Sequence, residues 1–126
     1  MLKMALKIRE KKGLVSLIPS SGITIWPFGL WLNKRNMSIE KDVNHERIHE
    51  AQQRELLLIF FILIYFSEWG VRYLILLYKK IVNKQEVYFH SAYRSISFEN
   101  EAYTNQNGQK YLSTCKRFAW AKYLHR

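Results

Sequence analysis

From residue 38 to residue 69 this chain contains neither proline nor glycine. Nothing in that stretch interrupts a helix, and one long helix over residues 39–66 is predicted. Ser38 is a good N-cap, and Glu40 and Asp42 follow where the helix dipole favours negative charge. After Glu55 the polarity collapses. Residues 56–66 read LLLIFFILIYF, residues 67–72 interrupt, and residues 73–78 (YLILLY) are apolar again before Lys79 and Lys80. A chain of 126 residues makes one domain and can hardly bury so continuous an apolar surface on every side of a helix. Taken together, residues 56–78 are long enough to cross a bilayer. Glu68 and Arg72 would then sit one turn apart and pair. Tyr65, Trp69, Tyr73 and Tyr78, with Lys79, Lys80 and Lys84, look like interface anchors. The expectation is membrane association through a helical hairpin broken near residues 67–70, with a second helix over residues 69–82 returning beside the first.

The polar half of the same stretch carries chemistry. Residues 44–53 read NHERIHEAQQ, with an HExxH pattern at the centre. On a helix, His45 and His49 stand one above the other on one face and can share a tetrahedral Zn²⁺. Glu46 then points toward a water at the metal's open position. Zinc lowers the pKa of that water toward ~7, and the carboxylate can take up its proton. The plainer alternative is a charged helix start with two solvated histidines. With only four histidines in the chain, two at this spacing around a glutamate favour the metal reading.

Such a site needs a third ligand. His90 and His125 are candidates, though loop and terminal histidines are usually just exposed. A further helix is expected over residues 97–107, closed by Gly108. It carries Glu99 and Glu101, the only acids after Glu86. A polar residue one turn past a ligating glutamate can steady a ligand histidine. Glu101 has Asn105 there, whereas Glu99 has Tyr103, and Glu101 is preferred to Glu99.

The segments HERIH and FENEAYTN together resemble gluzincin-type metallopeptidases, in which a glutamate on a downstream helix completes an HExxH site. Over residues 22–124 the chain is similar to a family of small bacterial HExxH proteins. The resemblance implies His45, His49 and Glu101 as metal ligands and Glu46 as general base. It implies no particular substrate. The metzincin pattern does not apply, because Glu55 stands where its third histidine would be and Gln52 replaces its turning glycine. The large second subdomain of full gluzincins is also missing, which leaves few residues for subsite pockets.

The remaining segments complete the expected architecture: a mainly α, minimal zincin-like domain spanning residues 1–126, with a short N-terminal β-meander. Residues 2–9 alternate apolar and basic, as a half-buried strand does. Residues 14–18 and 23–32 read as two more strands, the last an edge because Pro27 cannot donate to a ladder. Such an edge could pair with a peptide substrate by strand addition. Residues 109–126 read as an amphipathic helix.

Cys115 is alone and no secretory signal pattern is evident, so an inner-membrane or cytoplasmic-face location is expected. A net charge of +10 suits an anionic membrane surface. Nucleic-acid binding would explain that charge but neither the apolar run nor the paired motifs, and no nucleic-acid partner is expected. The functional expectation is therefore a zinc-dependent, metallopeptidase-like hydrolase acting on a peptide or protein at a membrane. The alternative is a zincin-like module that binds metal without turnover.

Overall fold

The computed structural model describes residues 6–18, 20–108 and 110–124. Leu2 and Met4 of the expected first strand, and His125, lie outside the described residues. The chain is mainly helical, with a small N-terminal sheet and one long apolar helix.

Three strands form the sheet: β1 (Ile8–Glu10), β2 (Gly22–Ile25) and β3 (Gly29–Leu32), in the order β1-β3-β2. β2 and β3 are an antiparallel hairpin, and β1 runs parallel to β3, so the sheet is mixed rather than a meander. Residues 23–32 are thus two strands instead of one, with a cis Trp26–Pro27 peptide in the turn between them. Proline's missing donor falls where no ladder bond is needed. Residues 14–18, expected as a strand, fall instead largely in a 3₁₀ helix, Gly13–Leu17, with no buried residue. Gly13 turns the chain there at φ 63°, leaving Leu14 and Leu17 exposed. Leu30 and Leu32 of β3 are fully buried.

The long helix α1 spans Glu40–Ile81. It begins two residues after Ser38, and the residue before it, Ile39, makes no side-chain cap bond. Its one non-helical residue is Leu57, at φ 59° and ψ 154°. That residue is a corner. Twelve residues of straight helix would put His49 and Phe61 about 18 Å apart along the axis, yet their ring centroids are 6.3 Å apart. The reversal expected near residues 67–70 therefore occurs at Leu57, and residues 67–70 stay helical. Gly70 is tolerated there as an ordinary helix residue, with open space where a Cβ would sit.

Beyond α1 come α2 (His90–Arg94), α3 (Ser97–Asn105) and the short α4 (Tyr111–Thr114). The expected amphipathic helix over residues 109–126 is instead α4 followed by a 3₁₀ turn, Ala119–Tyr123, set off by Phe118 at φ 57°. The core joins both arms of the bent helix to the C-terminal half: Phe61 stacks on Phe98, with Ile96 and Trp120 closing the cluster and Leu56, Ile64, Tyr65 and Tyr93 around it.

Candidate metal centre

The first arm of α1 presents two faces. His45, His49 and Gln52 look toward α3, and Arg47, Glu50 and Arg54 look the other way, as positions three and four apart must. Glu50 is buried but satisfied, accepting from Arg47 (2.7 Å), Arg54 (2.5 Å) and the Leu6 amide (3.2 Å). This ion-paired face lines a groove of about 810 Å³, which also includes Leu112 and Lys116. The hydrolytic candidates lie on the opposite face.

There the two imidazoles converge on Glu99. His45 Nε2 and His49 Nε2 are 3.2 Å apart, and each is 3.3 Å from Glu99 Oε1. All three residues are buried. Two donors at ~2.0–2.1 Å from a tetrahedral ion lie about 3.3–3.4 Å from each other. The three measured edges fit that figure, so these residues could hold a metal ion.

The outer partners fix which nitrogens are free. Gln52 Nε2 donates to the Phe98 carbonyl (3.0 Å) and to Glu101 Oε1 (2.8 Å), so its Oε1 is the acceptor for His49 Nδ1–H (2.8 Å). His45 Nδ1 bonds Gln106 Oε1 at 2.9 Å in the same way. With both Nδ1 protons held by amide oxygens, both Nε2 atoms are left to face the shared point. Glu99 is held in turn by Tyr65, whose hydroxyl donates to Oε2 at 2.8 Å.

Glu101, the third ligand preferred from sequence, is not in this cluster. Its carboxylate accepts from Gln52 and from the Tyr111 hydroxyl, and it stands behind His49 at one remove. Glu99 and Glu101 are two residues apart on α3, about 200° around the helix, so they cannot face the same point. Asn105 does not steady a histidine either: its amide donates to the Glu101 carbonyl (2.8 Å) and to Tyr123 (3.1 Å). The residue that does so is Gln106, which sequence reasoning did not single out. The signal was there at i, i+4 and i+7. Glu99, Tyr103 and Gln106 form one face of α3 and its end, and all three meet His45. His90, the other described candidate ligand, is not part of the cluster; it lines the neighbouring cleft.

Charge within the cluster is arranged around Glu99. Burial pulls the His49 imidazolium down, but the Glu99 carboxylate outweighs it, and with Glu46 and the Gln52 bond lifts the group to about 9. Burial raises the Glu99 carboxyl, and the two histidines more than reverse this, holding it far below the usual carboxylate range.

Glu46 lies between the sheet and the cluster. Its Oε2 accepts from Thr24 Oγ1 at 2.7 Å, and Thr24 also reaches the Glu46 carbonyl at 3.1 Å. A Cβ on Gly22 would come within 3.0 Å of Glu46 Oε1, so the strand approaches the carboxylate as closely as only glycine allows. Glu46 and His45 open together on a cleft of about 400 Å³, lined further by Gly22, His90, Tyr93 and Tyr103. Tyr93 stays protonated: burial, then the charge of Glu99, pushes its phenol well above the ordinary range. Tyr103 packs its ring edge on His45 at 4.4 Å and carries the Arg94 guanidinium over its face at 3.8 Å.

The outer edge of β2 is partly occupied. Gln53 Nε2 donates to the Thr24 carbonyl (2.8 Å), and its Oε1 accepts from the Trp26 amide (2.6 Å). One side-chain amide thus takes two of the backbone groups that an added strand would use. No known family model, curated protein or solved structure matches this chain.

Proposed function

We propose that this chain is a zinc-dependent hydrolase of the metallopeptidase type, similar to a reduced gluzincin, working at a membrane. The observation that carries the reading is the triangle of His45 Nε2, His49 Nε2 and Glu99 Oε1, whose edges of 3.2–3.3 Å match those of a tetrahedral three-ligand set. Three protein ligands leave one position open, which distinguishes a catalytic zinc from a closed structural one. Zinc bound there supplies a Lewis acid and lowers the pKa of a water toward ~7. Glu46 is the general base. Its carboxylate, anchored by Thr24 on one oxygen, takes the proton of the attacking water and returns it to the leaving amine nitrogen. The hydroxyls of Tyr93 and Tyr103, on the same cleft, can donate to the oxygen that develops charge.

A peptide substrate is supported by the β2 edge beside Glu46, where Gly22 lines the cleft. One observation favours the second reading, a metal-binding module without turnover. Gln53 already occupies the Thr24 and Trp26 positions of that edge, so a substrate finds few backbone partners there. Metal analysis together with hydrolysis of a peptide library separates the two. In the first reading Glu46→Gln keeps zinc and loses cleavage. Zinc in the wild type with no cleavage of any peptide leaves the second, and the absence of stoichiometric zinc overturns both.

A further inference from the structure

We infer that the second arm of α1, residues 58–81, lies in the plane of an anionic membrane surface instead of crossing the bilayer; the inference rests on the membrane part of the function proposed above. The arm has two faces. Outward, Ile59, Phe60, Leu63, Phe66 and Leu74 are each 54–63% exposed, and between residues 57 and 78 the exposed side chains include only one, Ser67, that is neither apolar nor aromatic. Only 6% of the most apolar window of this helix is buried. Inward, Tyr65, Glu68 and Arg72 are tied to the domain. Tyr65 donates to Glu99, Glu68 accepts from the Ser97 amide (2.9 Å) and hydroxyl, and Arg72 donates to the Leu124 carbonyl (3.1 Å). Glu68 and Arg72, the only two charges between residues 56 and 78, both face the protein.

Those ties span residues 65–72, the middle of the apolar stretch. A helix crossing the bilayer would carry its midpoint to the centre of the hydrocarbon, and the domain bound there would go with it. Arg94, Thr104, Arg117 and Lys122 are exposed on that domain and would lose their water with no partner in lipid. Laid flat, the same helix puts its apolar face among the acyl chains and leaves the domain in water. A lipid occupant fits the ends as well. Tyr78, exposed Lys79 and Lys80, and then Lys84 close the stretch, suiting a headgroup layer of negative charge. Through Tyr65, the metal cluster then sits directly above the membrane surface.

The test uses the full chain with Cys115→Ser and a nitroxide on a cysteine placed at Ile59, Phe66 or Leu74. It is bound to vesicles of phosphatidylcholine alone or mixed with phosphatidylserine. The three labels should report the same depth, whereas a spanning helix would separate Ile59 from Leu74 by about 22 Å along the normal. Replacing Lys79, Lys80 and Lys84 by Gln should weaken binding to the anionic vesicles by about a hundredfold. Graded depths overturn the inference. So does a failure to bind vesicles, or burial of the same labels in a dimer without lipid. Equal binding to neutral vesicles overturns the anionic part. Zinc measured on the same samples keeps the metal and membrane claims apart: His49→Ala should lose metal with its depths unchanged, and a zinc-loaded protein that ignores vesicles sinks the docking claim and the membrane location while the metal reading stands.

Discussion

Glu99 and Glu101 divide the work of one carboxylate motif, and truncating each in turn separates a ligand from its support. A structural zinc site is worth about 10–16 kcal/mol over four ligands, so one ligand carries roughly 3–4 kcal/mol, or two to three decades in affinity. Glu99→Ala removes the oxygen 3.3 Å from both Nε2 atoms, and zinc affinity should fall by at least that much. Glu101→Ala touches no ligand atom. It removes one of the two acceptors of Gln52 Nε2, leaving the Phe98 carbonyl, and so loosens the amide that holds His49 Nδ1; loss of such an outer bond costs about 10–100-fold in affinity. Because Glu101 acts through Gln52, the double variant with Gln52→Leu should bind zinc no more weakly than Gln52→Leu alone. Competition titration against a chromogenic chelator reads all four affinities, and far-UV circular dichroism checks that each variant is folded. If Glu101→Ala loses zinc as completely as Glu99→Ala, or if its loss adds in full to that of Gln52→Leu, the assignment of Glu99 as ligand and Glu101 as support is wrong.

Other consequences can be measured directly. Zinc must displace the proton that His49 keeps up to about pH 9, so apparent zinc affinity should rise about tenfold per pH unit below that point and level off above it. Metal-free protein should show the opposite trend on the alkaline side. The raised His49 pKa stabilises the fold fully below about pH 6.5 and is lost as pH rises through about 9, which urea melts across that window would register. Gly22→Ala, whose methyl would meet Leu32 at 2.5 Å and Glu46 at 3.0 Å, should cut turnover more than zinc content, and equal turnover would detach Glu46 from the chemistry. At Leu57, backbone strain of about 1–3 kcal/mol offsets the usual cost of glycine, so Leu57→Gly should leave stability unchanged or raise it by up to about 2 kcal/mol. Ile59→Gly, in regular helix, should lower it by about 1 kcal/mol in the same denaturation assay.

The sequence makes the local parts of this molecule legible because their causes are local. The absence of breakers dictates α1, and the four-residue spacing dictates that His45 and His49 meet. What it hides depends on partners brought from elsewhere. The choice between Glu99 and Glu101 turned on which one a residue at i+4 could assist, but the structure supports His45 from i+7 of Glu99 and His49 from within its own helix, through Gln52. The corner shows the same limit most plainly. Leucine at φ 59° has no local reason to turn, and Gly70 and Ser67 mark a better break thirteen and ten residues on. The turn is imposed by what it joins. With the helix folded at Leu57, Phe61 reaches the Phe98 ring at 4.5 Å and Tyr65 reaches Glu99 at 2.8 Å. A fold at Gly70 would leave both more than 15 Å away along a straight helix. Burial of Phe61 against Phe98 and the hydrogen bond from Tyr65 to the Glu99 carboxylate outweigh the backbone strain of one residue. The apolar arm is therefore part of the candidate metal site as well as the proposed membrane surface, because Tyr65, which donates to Glu99 Oε2, stands on it.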